Sequence, residues 1–459
     1  VSQDDLINAA LKNHCDSVHP GYGFLSEHSE FAIRCQSAGL TWLGPDPSVM
    51  ERFARKDHAR EVAVAAGVPL TPGSPILQNG NEAVEYAQKI GYPLILKPAG
   101  GGGGIGMQVC WSEDEVKKAF QTATSVAEKA FGDATVFMEK YIASAHHIEV
   151  QVFGDGEGKC IHLGERECSV QRRHQKVIEE TPSPSLTPSA RERICQCAVQ
   201  LCEYVNYGSA ATVEFIYDSS TAEFYFLEVN TRLQVEHGVT EMVNGLDIVE
   251  MMVRQGMKET RMDLNDIVWS PVGSSIQLRI YAEDPLEDFK PAPGLLQEFY
   301  LPRDEEYTRF ETWAYAGCSV TPRYDPMIVK ILQWGENRSD AISRLRETVK
   351  KCKIKGAPNN LDYLGAFLAS PAFLSGKTPC DVLNGFTYES SSFILLDAPS
   401  LGLQVQDFPG RQNQGLWRIG IPPSGPMDHL NARLANSIVG NEESAAVLEM
   451  TVKGFSFKI

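Results

Sequence analysis

Polar side chains occupy alternate positions between Phe224 and His237, in the segment FYFLEVNTRLQVEH. One parity of this segment carries two acids, two amides and an arginine: Glu228, Asn230, Arg232, Gln234 and Glu236. Successive side chains of an extended chain point to opposite faces, so the pattern predicts one strand with a single polar row. The segment begins with four apolar residues, 224–227, as a buried strand does. An amphipathic strand with one face in water is the alternative.

A second acid-bearing strand, TVEFIYD at Thr212–Asp218, precedes the first across the short polar turn SSTA at Ser219–Ala222. Two such runs joined by a short turn predict a β-hairpin. Charges on a buried sheet cost several kcal/mol each unless they are paired or bind a metal. The polar row is therefore interpreted as a site, with carboxylates for a hard cation followed by an arginine and a base for an anion.

A glycine run follows the predicted strand that ends at Lys97, in KPAGGGGGIGM, and MQVCW then predicts another strand. Backbone N–H groups of such a loop can approach phosphates without side-chain clashes. The loop is neither a Walker A loop nor a Rossmann turn, since both need a helix directly after their glycines. A flexible linker is the alternative, but Lys97 stands where it would meet a phosphate.

Four basic residues lie within five positions of an acidic segment, ERECSVQRRHQKVIEE, namely Arg172, Arg173, His174 and Lys176. A solvated basic patch that binds nucleic acid is the usual interpretation of such a cluster. Five positions are too short for that footprint and the flanking residues are acidic. The cluster therefore favours an internal anion pocket.

The arrangement of helix and strand signals predicts an α/β class chain of several domains. Helices are expected at 4–14, 28–38 and 48–66, with strands at 15–18 and 41–43, and the absence of an opening strand suggests that the first domain begins before this chain. The predicted division is a partial N-terminal α/β domain 1–43, a linker 44–70, a domain around the glycine loop 71–143, a larger domain 144–389 and a β-rich start of another domain 390–459.

Composition narrows the function class. The 459 residues carry a net charge of −17, which argues against nucleic acid or an anionic membrane as a partner. The chain has no run of about 18 apolar residues and no signal peptide at its start. Its eleven cysteines have no paired spacing. A cytoplasmic location is expected, because scattered unpaired cysteines are typical of a reducing compartment.

Taken together, HPGYGFLSE, KPAGGGGGIGM, MEKYI, HIEVQVFGDG, ERECSVQRRHQKVIEE, FLEVNTRLQVEH and YAEDP resemble, in this order, the biotin carboxylases of the ATP-grasp superfamily. The resemblance covers residues 1–385. It implies an ATP-grasp fold with an N-terminal α/β domain, a lid (the B domain) and a C-terminal mixed α/β domain. It also implies that ATP, Mg²⁺ or Mn²⁺, and bicarbonate are used to carboxylate biotin.

The resemblance assigns site residues one by one. The residues that it implies for ATP are Lys56, Lys97, Gly101, Gly102, Gly103, Gly104, Glu139, Lys140, Ile142, His147, Gln171 and His174. Bicarbonate would be held by Lys176, Arg232, Gln234, Val235 and Glu236. The metal ligands would be Glu214, Glu228 and Asn230, and the catalytic residues Glu236, Arg232, Lys176 and Arg309.

The family's mechanism gives each catalytic residue a role. Glu236 would take the proton of bicarbonate, which attacks the γ-phosphate of ATP. Arg232 would stabilise the negative oxygen of biotin, and Arg309 would hold the developing phosphate and the carboxyl group. Glu214 and Glu228 must then face the same side of the hairpin, which requires the loop or a bulge to absorb one residue. The family's first strand and N-terminal glycine turn are absent from this chain.

The tail distinguishes between family members. VQDFPGRQNQGLWRIGIPPSGPMDHLNARLANSIVGN resembles the carboxyltransferase domain of urea carboxylases, which convert urea to allophanate. No Met-Lys-Met biotinylation motif occurs, so biotin is expected on a carrier domain outside this chain, and the chain alone is expected to be inactive. A biotin carboxylase part of an acyl-CoA or pyruvate carboxylase, and an inactive nucleotide-binding fragment, are the alternatives. Bicarbonate, the carrier domain and the carboxyltransferase domain are the expected partners, and homo-oligomerisation is left open.

Overall fold

The protein is described by a computed structural model that covers residues 1–100, 105–257, 263–267, 269–302, 307–388, 394–397, 403–406, 428–442, 445, 447–450 and 456–458. The chain divides into two units, Val1–Tyr388 and Glu389–Ile459. The glycines predicted to cover the phosphates, Gly101–Gly104, lie outside the described residues.

The N-terminal segment is a small α/β layer. It consists of α1 (Gln3–Lys12), β1 (Ser17–Val18), α2 (Ser29–Ser37) and β2 (Thr41–Trp42), close to the predicted bounds. The two strands pair in parallel. Phe31 of α2 packs edge-on against Trp42, with ring centroids 5.7 Å apart, and so closes the helices onto the strands.

Two helices fill the segment predicted as a linker, α3 (Pro47–Ala54) and α4 (Lys56–Ala65). The single helix predicted for 48–66 is wrong, because Arg55 between them is extended, with φ −110° and ψ 137°. Asp46 caps α3 and Pro47 stands at its first turn, where a missing N–H costs nothing. Arg55 donates to Asp57 at 3.0 and 3.1 Å, which holds the break at the start of α4.

The segment around the glycine loop folds as a three-stranded antiparallel sheet covered by two helices. Its elements are α5 (Gly80–Ile90), β3 (Leu94–Pro98), β4 (Gln108–Cys110), α6 (Glu113–Phe131) and β5 (Val136–Lys140), with the strand order β4-β3-β5. Asn79 caps α5 by accepting from two backbone N–H groups. Small apolar residues of both helices, including Ala83, Ala87, Ala119 and Ala123, pack on the sheet.

An eight-stranded antiparallel sheet forms the centre of the first unit, in the order β10-β9-β6-β7-β8-β11-β18-β16. The elements up to β11 are β6 (Ala145–Asp155), β7 (Cys160–Arg172), β8 (Gln175–Thr181), α7 (Pro188–Tyr204), β9 (Gly208–Asp218), β10 (Glu223–Asn230), α8 (His237–Asn244), α9 (Ile248–Met257) and β11 (Ser274–Tyr281). The elements after β11 are β12 (Glu283–Asp284), β13 (Lys290–Pro291), β14 (Gly294–Leu295), β15 (Glu298–Tyr300), β16 (Thr308–Thr312), β17 (Ser319–Val320), β18 (Met327–Gly335), α10 (Arg338–Lys351), β19 (Lys353–Lys355), α11 (Leu361–Phe367) and α12 (Pro371–Leu374).

The two faces of this sheet differ in chemistry. On β6, Ile148 and Val150 belong to the apolar cluster that also contains Ile194 and Ala198 of α7. Charged and polar side chains alternate with these apolar residues and so point to the opposite face, as the period of two requires. On β11, Ile276, Leu278 and Ile280 likewise join the core that contains residues of α10. The polar face is the one that carries the site.

The second unit contains short strand pairs and one helix among its described residues. Its elements are β20 (Ile394–Asp397), β21 (Leu403–Gln406), α13 (His429–Ile438), β22 (Val447–Met450) and β23 (Ser456–Lys458). Strand β20 pairs with β23, and β21 with β22, both antiparallel. Within the described residues of the whole chain, no helix has the length and apolar character needed to cross a membrane.

Candidate active site

The two acid-bearing strands form the predicted hairpin, and a bulge sets its register. Phe226 pairs with Phe215, whereas the next pair along the ladder joins Glu228 to Glu214. Leu227 is therefore the extra residue of a β-bulge on β10. Without it, Leu227 would stand opposite Glu214. The bulge thus provides the one-residue shift that the sequence required, and it places the two carboxylates directly across from each other.

Asn230 ends β10, and the predicted continuation of the strand to Glu236 is wrong. Residues 231–236 form a loop, and α8 begins at His237. The polar side chains still converge, because the loop turns back over the sheet. Asn230 Nδ2 donates to Glu214 Oε1 at 2.7 Å, and Gln234 Nε2 approaches the same oxygen at 3.3 Å.

Arg232 lies within this loop and contacts one amide at the end of β10 and one within the loop. Its guanidinium donates to Asn230 Oδ1 at 3.0 Å and to Gln234 Oε1 at 3.2 Å. Its Nε also lies 3.0 Å from Glu27 Oε2, at the end of the HPGYGFLSE segment. The side chain is only 17% exposed. Arg232 therefore ties the N-terminal segment to the polar face of the sheet.

Lys176 is the cation at the centre of the site. Its Nζ donates to Glu236 Oε1 at 2.9 Å, to Glu214 Oε1 at 3.2 Å and, in a still shorter contact, to Glu149. Burial alone would lower the pKa of Lys176, but the three carboxylates outweigh burial and hold that pKa well above its usual value. The ammonium is therefore fixed in its charged form.

Two further buried cations, both arginines, pair with acids of this cluster, and neither was found from the sequence. Arg166 is fully buried and donates to Glu149 Oε2 at 3.1 and 3.2 Å. Arg279 of β11 donates to Glu236 Oε2 at 2.9 Å and contacts Glu179 at 2.5 Å. Glu149 itself is fully buried. For Arg279, the missed signal was a lone charge on the otherwise uncharged strand SSIQLRIY.

Glu236 is held as a carboxylate by the cations around it. Burial would raise its pKa, but Lys176, then Arg279 and Arg166, keep that pKa well below the ordinary value. Each of its oxygens has its own cation, Lys176 on Oε1 and Arg279 on Oε2. A group with a depressed pKa that sits between movable donors can act as a base once those donors move to a substrate anion.

His147 links the carboxylates to the β7 strand. Its Nε2 lies 2.7 Å from Glu214 Oε2, and its Nδ1 lies 2.9 Å from Gln171 Nε2. The Gln171 amide also donates to the Cys168 carbonyl at 2.8 Å, so the nitrogen of that amide faces the ring. In the neutral imidazole, Nδ1 then accepts from Gln171 and Nε2–H donates to Glu214. The two residues predicted for ATP are therefore coupled to a predicted metal ligand.

Four more of the predicted nucleotide residues lie on or just after the sheet of β3, β4 and β5, which forms the base of the lid: Lys97, Glu139, Lys140 and Ile142. Lys97 of β3 donates to Glu139 Oε2 of β5 at 2.5 Å. Lys140 Nζ instead donates to the Tyr92 and Gly91 carbonyls, at 2.6 and 3.1 Å. Lys140 and Ile142 also line a cavity of about 360 Å³.

The oxygen atoms that the hairpin side chains present suit a hard cation. Glu214 and Glu228 stand opposite in the ladder, where like charges repel. Lys56 Nζ lies 3.9 Å from Glu228 Oε2, which is a long ion-pair contact. Asn230 adds an amide next to Glu214. Carboxylate and amide oxygens are the ligands that Mg²⁺ takes in proteins. Among the described residues, His147, Glu149 and Glu214 also bring ligand atoms within 4.8 Å of one another.

Three of the predicted residues stand apart from these contacts. Arg309 pairs with Glu241 at 2.5 Å and with Glu311, and none of the hydrogen bonds and ion pairs described for it reaches Glu236. Its catalytic role stays a prediction. His174 lies with φ 67° in the turn between β7 and β8. Val235 contributes its carbonyl, which accepts from Lys330 Nζ at 2.8 Å.

Four family models match the chain. Residues 1–50 match the biotin carboxylase N-terminal domain, and residues 277–385 match the biotin carboxylase C-terminal domain. Residues 55–262 match the ATP-binding domain of the carbamoyl-phosphate synthase L chain. Residues 419–459 match the carboxyltransferase domain, subdomain A and B.

Similar proteins include carboxylases of more than one kind. The chain is 44% identical to the urea amidolyase of Saccharomyces cerevisiae over 99% of its own length and 24% of that protein. It is 42% identical to the biotin carboxylase of Nostoc over 81% of the chain and 83% of that protein. The biotin carboxylase domain dimer of Hydrogenobacter thermophilus 2-oxoglutarate carboxylase, solved with MgADP, ADP and bicarbonate, superposes with a TM-score of 0.78 at 40% identity. That match covers 83% of this chain and 84% of the solved one.

These matches confirm the predicted fold, an α/β and α+β ATP-grasp biotin carboxylase fold followed by a carboxyltransferase match. The chain spans only 24–37% of the length of the first urea amidolyase and urea carboxylase relatives. The domain boundaries and the individual site residues stay predictions.

Replacement of Lys176 by methionine tests whether its ammonium is what allows the acids to be buried together. Breaking a buried ion pair by removing one partner costs about 3–5 kcal/mol. We therefore expect Lys176→Met to lower the apparent melting temperature by at least about 5 °C, since 1 kcal/mol corresponds to about 2–4 °C in a domain of 150–250 residues. Lys350→Met, at an exposed pair with Glu347, is the control. Equal melting temperatures for the two variants would refute this role.

Proposed function

The chain belongs to the biotin carboxylase family, and we propose that within the full-length enzyme it provides the site for the ATP- and bicarbonate-dependent carboxylation of biotin carried on a separate carrier domain. The observation that carries this proposal is the position of Lys176, whose ammonium bridges Glu236, Glu149 and Glu214. It joins a candidate base to a candidate metal ligand within one buried charge cluster. An inactive nucleotide-binding fragment would not need to retain such a cluster.

The base is Glu236 and its activation follows from its partners. Lys176 and Arg279 suppress the proton affinity of its carboxylate. A bicarbonate anion competes for the same two cations. As they turn toward the anion, Glu236 regains proton affinity at Oε1, the oxygen that Lys176 holds. Binding of the substrate thereby prepares the group that takes its proton.

The proposed metal ligands lie on the hairpin. The proposed phosphate contacts lie on α4 and in the segment around the glycine loop. Glu214, Glu228 and Asn230 would hold Mg²⁺, which when bound neutralises charge on the ATP phosphates. Lys56 and Lys97 would contact those phosphates, and the family resemblance adds Gly101–Gly104, which lie outside the described residues. Glu139, Lys140 and Ile142 would hold the adenine, and His147, Gln171 and His174 would complete the nucleotide site.

The proposed anion residues lie on β8, which carries Lys176, and on the loop before α8. Lys176, Arg232, Gln234 and Val235 would bind bicarbonate beside Glu236, since Arg232 and Gln234 already contact each other. Arg232 would then stabilise the negative oxygen that develops on biotin, as an oxyanion donor does. We assign Arg279 to the same group of residues, because among the described contacts it alone donates to Oε2 of Glu236.

The whole enzyme is proposed to be a urea carboxylase that forms allophanate. The carboxyltransferase match at 419–459 and the similarity over 99% of the chain to yeast urea amidolyase support this substrate. Pyruvate and methylcrotonoyl-CoA carboxylases are also similar, but those matches cover 82% and 83% of the chain. The proposed partners are the biotin carrier and carboxyltransferase domains and a second copy of the chain, in the cytoplasm.

Substitution of the base gives the first test of this function. Glu236→Gln keeps the shape of the side chain and removes its proton affinity. A positioned general base contributes about 10²–10⁴-fold, so we expect a loss of that size in bicarbonate-dependent ATP hydrolysis by the full-length enzyme with free biotin. Glu192→Gln, on the exposed side of α7, is the control. A loss of less than about threefold would remove Glu236 from this role.

A metal titration tests the two facing carboxylates. Glu214→Gln and Glu228→Gln should each raise the Mg²⁺ concentration for half-maximal activity by about tenfold or more, the loss expected for one charged contact. Glu223→Gln lies on the same strand β10, is exposed, and serves as the matched control. Titration curves that coincide with that control in both variants would contradict the metal assignment.

The acceptor substrate has a test of its own. At saturating bicarbonate, urea should stimulate ATP turnover by the full-length enzyme, while acetyl-CoA, propionyl-CoA and pyruvate should not. Phosphate release with each acceptor is the measurement. Stimulation by an acyl-CoA or pyruvate and not by urea would overturn the substrate while leaving the biotin carboxylase activity in place.

A further inference from the structure

Helix α4 presents two cations on one face, four residues apart. Lys56 reaches toward Glu228 at the hairpin, and Arg60 contacts Glu139 at the base of the lid. Residues four apart lie above one another on a helix, so both cations point into the cleft between sheet and lid. Lys56 belongs to the proposed nucleotide site, whereas Arg60 has no role in the function described above.

Glu139 is a buried carboxylate with a separate cation on each oxygen. Its side chain is 6% exposed. Arg60 Nη1 donates to Oε1, and Lys97 Nζ donates to Oε2 at 2.5 Å. Arg60 is held in place by further contacts, because its guanidinium lies 5.5 Å from the centre of the Phe137 ring and 3.5 Å from the Thr71 carbonyl.

The backbone at Gly73 packs closely against the ion pair of Arg60 and Glu139. A Cβ atom at Gly73 would lie 2.7 Å from the Met138 carbonyl oxygen and 3.3 Å from both Arg60 Nη2 and Glu139 Cγ. A side chain at this position would therefore press on the ion pair and on strand β5. The close packing keeps the Arg60 guanidinium against Glu139, whereas Lys97 is attached by a flexible four-carbon stem.

Lys97 and Arg60 are expected to behave differently when nucleotide binds. If Lys97 contacts an ATP phosphate, as the proposed function requires, its ammonium must leave Glu139. A buried carboxylate that loses its only cation is strongly unfavourable. Here one cation remains, because the planar guanidinium of Arg60 is fixed on the other oxygen. Lys97 then exchanges the Glu139 carboxylate for a phosphate, and Glu139 remains paired with Arg60.

We propose that Arg60 is a positioning residue for nucleotide binding: it keeps the Glu139 carboxylate paired and so allows Lys97 to transfer to the phosphates. This inference rests on the proposed phosphate contact of Lys97. It concerns charge compensation and not a contact of Arg60 with the nucleotide.

The test is a double-mutant cycle on the dissociation constant for MgADP, measured by calorimetry on the full-length enzyme. Arg60→Met should raise this constant about 10- to 100-fold, the size of one charged contact. In the Glu139→Gln background no carboxylate needs a cation, so the same Arg60→Met change should raise it by less than about threefold. Arg60→Lys keeps the charge and should stay within about threefold of wild type.

Each alternative result has a defined meaning. An unchanged constant in Arg60→Met, an equal loss in the Glu139→Gln background, or a loss in Arg60→Lys as large as in Arg60→Met would each overturn the inference. If Arg60→Met does not fold, Arg60→Gln, which also removes the charge, replaces it in both backgrounds with the same expected results. Arg52→Met, which removes an arginine that lies over the Tyr204 ring, is the control and should remain within about twofold.

A further arm separates this inference from the proposed function. Lys97→Met should itself weaken MgADP binding by about tenfold or more, as loss of a charged contact does. Should Lys97→Met bind MgADP as wild type does, the phosphate role of Lys97 fails. Weakening by Lys97→Met together with no effect of Arg60→Met would defeat only the role of Arg60.

Discussion

The interaction on which the site depends is the contact of the Lys176 ammonium with the carboxylates of Glu149, Glu214 and Glu236. These acids come from β6, from β9 and from the loop before α8, and each is nearly or fully buried. Without a central cation, three such charges could not share one cavity in ionised form. The sheet and the loop are brought to the same point because this ammonium has three acceptors there.

The alternation of the central sheet makes such a cluster compatible with a stable fold. One face of β6 and β11 is apolar and packs in the cores that contain α7 and α10. The other face carries Glu149, Arg166 and Arg279, whose charges are compensated within the described contacts. The candidate site and the two apolar cores therefore lie on opposite faces of the same strands.

Local patterns predicted those parts of the site that depend on neighbouring residues. The alternation of TVEFIYD and FYFLEVN predicted the hairpin, and the need to align Glu214 with Glu228 predicted the extra residue that the structure shows at Leu227. The continuation of the strand to Glu236 was wrong, because the loop is held by contacts of Gln234 to Glu214 and of Arg232 to Glu27, which come from distant segments. Arg279 and Arg60 were missed for a similar reason, since only the folded chain brings their carboxylates to them. The residue roles came from the family resemblance and not from periodicity.

The central claim is that the hairpin carboxylates and the Lys176 cluster are two adjoining halves of one catalytic site, the first for metal and the second for bicarbonate. The most direct test is a crystal structure of the full-length enzyme with Mn²⁺, a non-hydrolysable ATP analogue and bicarbonate, with anomalous scattering used to locate the metal. The account predicts a manganese peak bound by Glu214 and Glu228, and an anion that contacts Lys176 beside Glu236. A metal bound away from that hairpin, or an anion bound away from Lys176, would contradict it.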